Sequence, residues 1–310
     1  MQKLTVDPSP HIYDTTSTSK IMLHVIIALC PSLIAAAYFF GGRALMLTGF
    51  CMLTAIVWER LCNIVMKKPN TTGDLSAAVT GMILAFNLPV TLPYWIAAIG
   101  TFVAIVIVKQ LFGGLGQNFA NPAAVARIVL MLSFTGPMTR WVIPFYDPDK
   151  IVTQATPLAT RAETYFDLFI GKTGGSLGET SAAALLLGGI YLIIMRVITP
   201  HAPISFIATV YVFSWFFDQE PLCQILSGGL MLGAIFMATD YVTTPISAAG
   251  KIVFGVGCGI ITCVIRFWGS YPEGVSYSIL LMNIITPYID MAFTAKPFGA
   301  VKPDTGEDSK

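Results

Sequence analysis

The chain has 310 residues, 55% of them hydrophobic and only 11% charged, where ordinary soluble domains carry roughly 25% charged residues. A mean hydropathy of +0.72 over the full length is more apolar surface than one water-facing skin can cover, which excludes a soluble enzyme. The formal net charge of +1 points to neither a nucleic acid nor an acidic partner, and Met1 to Lys20 lacks the apolar core of a cleavable signal.

A membrane-crossing helix needs about 20 apolar residues, and the chain divides into runs of that kind. The first five are Ile21 to Phe40, Ala44 to Val65, Leu75 to Leu88, Tyr94 to Leu111 and Pro122 to Phe134. A polar interval follows, and five more runs resume at Ser181 to Ile198, Pro203 to Phe217, Leu222 to Ala238, Ile252 to Trp268 and Val275 to Phe293. The expected fold is an all-α polytopic membrane protein of about ten transmembrane helices. Its expected parts are a cytoplasmic segment 1–20, a first five-helix unit 21–135, an outward loop 136–180, a second unit 181–293 and a cytoplasmic tail 294–310.

The third and eighth runs are short, rich in Gly, Ser and Thr, and run into a turn, the pattern of discontinuous helices meeting near the midplane. Ser76 to Pro89 and Gly229 to Asp240 share a layout of small residues, apolar residues and a polar residue at the break, Asn87 or Asp240. Because five crossings is an odd number, a second copy inserts upside down, and the expectation is two inverted five-helix repeats. Two apolar segments also resemble each other without any repeat. Orientation follows from Lys and Arg: with the termini inside, 11 of the 18 lie on the cytoplasmic side and 6 outside, with Arg127 inside a span. Trp58, Trp95, Trp141, Trp215 and Trp268 fall near run ends, as an interfacial belt requires.

Few residues offer chemistry. The six cysteines form no Cys-x-x-Cys pair and the three histidines are scattered, so neither a metal site nor a catalytic residue is expected. Gly113-Gly-Leu-Gly follows a membrane helix instead of a β-strand and is no dinucleotide fingerprint. Asp240 is an acid near membrane depth, read either as an ion-pathway group or as a cap or arginine partner. Arg127 stands either as a ligand for a phosphate or flavin N1 or as the partner of an acid. Asn118 and Asn121 are expected to cap the helix beginning at Pro122. A bare loop threonine in the outward interval is, on physics alone, a poor nucleophile without a base.

Asp149-Lys-Ile-Val-Thr153-Gln-Ala155-Thr156 resembles the flavinylation motif Asp-x-x-x-Ser/Thr-x-Ala-Thr, in which a separate flavin transferase esterifies the last threonine to the phosphate of FMN. Further stretches extend the likeness: Gly113 to Ala123, Gly178-Glu-Thr-Ser-Ala, Gly233 to Asp240 and Trp268-Gly-Ser-Tyr-Pro-Glu-Gly-Val. From about Lys20 to Asp290 the chain resembles the NqrB/RnfD family: most nearly the D-type membrane component of Rnf complexes and, more distantly, the B-type component of the sodium-pumping NADH:quinone reductase. Lys150 and Gln154 stand where that family commonly has glycine, and neither touches the acceptor hydroxyl.

The resemblance implies a subunit of a redox-driven ion translocase that couples ferredoxin and NAD chemistry to Na+ or H+ movement. It implies FMN bound covalently at Thr156 within a motif of Asp149, Thr153 and Ala155, and a riboflavin-like or other second, noncovalent flavin to which no residue is assigned. Implied partners are the other subunits of the Rnf-type complex, the flavin transferase and membrane lipid, with no nucleic acid. The implied place is the cell's inner, cytoplasmic membrane, with the flavin loop on the outer face. A solute channel or secondary transporter of inverted-repeat fold is the alternative, and it has no use for Asp149 to Thr156.

Overall fold

A computed structural model describes residues 16–69, 71–145, 164–269 and 274–293. The described elements are helices and turns. Helix α1 is Thr18–Phe40, α2 Gly42–Val65, α3 Ser76–Phe86, α4 Tyr94–Gln110 and α5 Pro122–Ser133. Two short helices follow, α6 Thr135–Met138 and α7 Tyr165–Ile170. The second set is α8 Ala182–Ile194, α9 His201–Phe216 and α10 Pro221–Leu226. It continues with α11, Leu230–Leu232 running on as Gly233–Met237, then α12 Ala248–Trp268 and α13 Val275–Ala292.

Four of these, α1, α2, α12 and α13, are long and apolar enough to cross a membrane alone. The other principal helices are shorter, so long helices interleave with short ones, as the expected discontinuous helices imply. Leu222 to Ala238, read as one run, divides at Ser227–Gly229. Gly228 and Gly229 there take φ of 67° and 69°, a left-handed pair that ends α10 and starts α11 in a new direction. Both α4 and α11 close on wide π turns, in which Leu111 N–H donates to Val106 C=O and Ala238 N–H to Gly233 C=O.

Helix ends in an apolar bilayer must find partners within the protein. Ser17, Asn121, Ser181 and Ser247 each place a side-chain oxygen on the first turn of α1, α5, α8 and α12. Asn121 therefore caps the helix at Pro122 as the sequence predicts, whereas Asn118 turns to Ala120 C=O and Asp240.

Contacts at the helix ends define two faces. Ser19 reaches Gly73 C=O, Lys68 reaches Gln110 C=O, His24 meets Tyr191 and Lys251 meets Thr199. These gather the starts of α1, α3, α9 and α12 with the ends of α2, α4 and α8 on one amino-terminal face. Arg43 on Val90 C=O, Trp95 on Phe134 and Phe217 on Trp268 gather the other ends on the opposite face. Hence α4 ends where α12 starts, and α1 lies antiparallel to α8: the two sets run in opposite senses.

Small residues let the broken helices sit deep. A Cβ on Gly81 would come within 2.6 Å of Cys51 C=O, and one on Gly188 would overlap Ala28 C=O, so α3 packs on α2 and α8 on α1 at backbone contact. Every residue of α3 from Ser76 to Phe86 except Thr80 is buried, while Ile34, Leu53, Ile194 and Phe216 remain exposed on the outer helices as lipid-facing surface. Trp95, Trp215 and Trp268 are exposed near helix ends, but Trp141 is only 5% exposed, because its segment folds back beside Met138 and Val142 of the core.

Candidate functional site

The break after α3 is held by charge. Arg127, on α5, donates from Nη1 to Glu179 Oε1 at 2.6 Å and to Asn87 Oδ1. The Asn87 amide nitrogen turns back to Ile83 C=O at 2.7 Å and reaches Met237 Sδ, at the end of α11, at 3.6 Å. Gly178 N–H and Leu177 N–H donate to Phe86 and Leu88 C=O, laying the Glu179 segment along the end of α3. A Cβ on Gly229 would overlap Glu179 Oε1, so the start of α11 also closes on this pair. Both charged side chains are buried, at 5% and 6% exposure. Of the two sequence readings of Arg127, the structure shows a guanidinium bound to an acid.

A second buried pair joins residues that the sequence does not link. Lys109 Nζ, at the end of α4, lies 2.8 Å from Glu59 Oε1 on α2 and 2.6 Å from Ser76 Oγ at the start of α3. Gln110 and Thr71 donate to the same Glu59 oxygen. The available signal is an acid in the middle of an apolar run, where an ionisable residue defaults to a functional candidate. In the inverted half, Arg266 at the end of α12 does the equivalent work, donating to Gln224, Ser227 and Gly228 C=O just before α11. Each half thus fastens the start of a short helix with a cation from the end of the next principal helix, Lys109 of α4 or Arg266 of α12.

Asp240 lies past the end of α11 and is partnered by neither arginine. Its Oδ2 accepts from Asn118 at 3.4 Å and Thr243 at 3.3 Å, and its backbone C=O accepts from Thr244 N–H. It borders a cavity of about 100 Å³ between the two halves, whose other polar linings are Ser76, Thr80, Lys109, Asn118, Asn121, Thr239 and Tyr241. Asp240 and Lys109 thus border the same cavity. The breaks expected at Asn87 and Asp240 adjoin through Met237, yet the two polar residues face different neighbours. Asn121 donates to Met237 C=O at the end of α11.

Asp149, Thr153, Ala155 and Thr156 lie outside the described residues, as does Glu273. The described chain on either side of the motif is anchored. Phe145 N–H donates to Phe39 C=O at the far end of α1, and Tyr165 donates to Glu220 beside α10, so both flanks sit on the face opposite the amino-terminal one. All six cysteines are free.

Long apolar helices around buried short ones, closed by intramembrane ion pairs, define a polytopic membrane protein. The model of the NQR2, RnfD, RnfE family matches residues 5–299, and the chain belongs to that family. Among curated relatives, the D component of the Na(+)-translocating ferredoxin:NAD(+) oxidoreductase complex of Acetobacterium woodii is 48% identical, with 96% of each chain covered. The D component of the proton-translocating ferredoxin:NAD(+) oxidoreductase complex of Clostridium ljungdahlii is 40% identical over 95% of this chain and 96% of that one. The D component of the ion-translocating oxidoreductase complex of Stutzerimonas stutzeri is 37% identical over 92% and 93%.

Proposed function

We propose that this chain is the D-type membrane component of an ion-translocating ferredoxin:NAD oxidoreductase complex, and that it carries FMN covalently on Thr156. The observation that carries the reading is the sequence Asp149 to Thr156, set in a chain that matches named D components over nearly its whole length. The anchoring of both flanking segments on the face opposite the amino terminus supports an outward loop. In this reading the termini and Lys67 are cytoplasmic, the orientation that the bias of Lys and Arg favours.

Thr156 Oγ1 would hold the phosphate, and Asp149, Thr153 and Ala155 would form the surface that the flavin transferase recognises. The bound flavin supplies one- and two-electron chemistry, and the protein supplies position and electrostatics. An ester tether keeps that group at a membrane surface from which a free flavin would diffuse. The relatives' names divide between sodium and proton, and Asp240 is the group proposed here to meet the monovalent cation. It is a carboxylate bordering the cavity between the two halves, its Oδ2 held by an amide and a hydroxyl group.

In-gel ultraviolet fluorescence of the denatured chain tests the flavin assignment. Thr156→Ala is expected to darken the band while the protein still inserts, and Asp149→Ala to label partially. A fluorescent Thr156→Ala band beside a dark Thr153→Ala band would move the acceptor to the other motif hydroxyl.

A further inference from the structure

On the amino-terminal face a second cavity, of about 280 Å³, lies between the turn that joins α8 to α9 and the turn that joins α11 to α12. Its polar lining includes Arg196, Thr199, Asp240, Thr244 and Lys251 beside Thr239 and Tyr241. Arg196 stands in a left-handed backbone conformation, φ 57°, at the end of α8. The Lys251 ammonium is held by Thr199 Oγ1 at 3.1 Å, and neither cation is ion-paired with an acid among the described residues. Ala202, in the first turn of α9, also lines the cavity, and no side chain caps that helix. Uncapped N–H groups at a helix start favour an anion, as do two cations that lack acid partners.

We propose that this cavity binds the phosphate of a phospholipid headgroup, and specifically a monoanionic phosphodiester such as that of phosphatidylglycerol. The charge fits. Arg196 and Lys251 contribute two positive charges and Asp240 one negative, leaving one to be met by a diester. The surroundings fit as well: Ile246, 87% exposed, lines the cavity beside Pro245 and offers acyl chains an apolar wall. Basic pockets between transmembrane helices on the cytoplasmic side recognise acidic headgroups in this way. The site is independent of the flavin assignment and rests on the proposed orientation, with this face cytoplasmic.

The test uses the intact complex, purified in detergent and stripped of loosely held lipid. Tightly retained phosphatidylglycerol is counted by mass spectrometry, and the rise in thermal midpoint is measured on adding phosphatidylglycerol, phosphatidylcholine or inorganic phosphate. The wild type is expected to retain this lipid and to be protected by phosphatidylglycerol at concentrations at least tenfold below those at which phosphatidylcholine acts. Arg196→Gln with Lys251→Gln is expected to lose both effects, and Arg196→Gln alone, at an exposed position, to weaken them. Lys172→Gln, on the other face, is expected to keep them. Equal retention by the double variant would show only annular lipid and overturn the site. Equal protection by inorganic phosphate would overturn the lipid as its occupant.

Discussion

Glu179 and Arg127 form a buried pair that tethers the outer segment to the break after α3. Removing one partner of such a pair strands a charge, at a cost of about 3–5 kcal/mol, whereas replacing both by apolar residues of similar size is often neutral. Glu179→Ala is therefore expected to lower the thermal midpoint of the detergent-purified complex more than the double change Arg127→Met with Glu179→Met. The reverse order would show that the pair is not what holds the break. Asp240 stands differently, because its partners are neutral. Asp240→Asn keeps the shape and removes the charge, so flavin attachment is expected to persist while ion-coupled electron transfer in vesicles falls. Unchanged coupling at an unchanged electron-transfer rate would return Asp240 to a turn-forming role.

The legibility of these residues differs for physical reasons. Asp240 and Arg127 stand out because charge in an apolar run is costly, and the sequence places both correctly at breaks or inside spans. Their partners are hidden, since Glu179 lies in the polar interval 136–180, where an acid attracts no notice. Lys109 reads in sequence as a surface cation, although it is 2% exposed and bound to Glu59. Partnership across 50 residues of chain leaves no local trace.

At the scale of elements, apolar run length locates the helices to within a few residues, but not the division of the eighth run. In sequence Gly228-Gly229 is only small-residue composition, whereas the chain uses its left-handed freedom to start α11 afresh. Asn87 and Asp240 look like a mirrored pair, and tertiary packing gives them different partners, Arg127 for Asn87 and Asn118 with Thr243 for Asp240. Close helix contact also makes a prediction. A methyl group on Gly81 would meet the Cys51 backbone, which cannot give way as a flexible side chain would. Gly81→Ala is expected to cost about 1–3 kcal/mol of stability, read as a lower thermal midpoint. Gly49→Ala, with open space around its Cβ, is the control expected to leave it unchanged. Equal effects at the two glycines would contradict the packing of α3 on α2.

For the whole molecule, two sets of helices running in opposite senses put the start of α1, Lys67 and Lys251 on one face and the segments flanking the proposed flavin loop on the other. In a background lacking the six native cysteines, a cysteine at position 150 is expected to react with an impermeant reagent on whole cells. One at position 251 is expected to react only after rupture. Labelling in the reverse order would invert the topology. The place of the flavin is read most directly from one tryptic peptide, Ile151 to Arg161, which holds Thr153, Thr156 and Thr160. Fragmentation mass spectrometry of that peptide from the purified complex is expected to find the FMN phosphoester on Thr156. An unmodified peptide, or the mass increment on Thr153 or Thr160, would contradict the assignment.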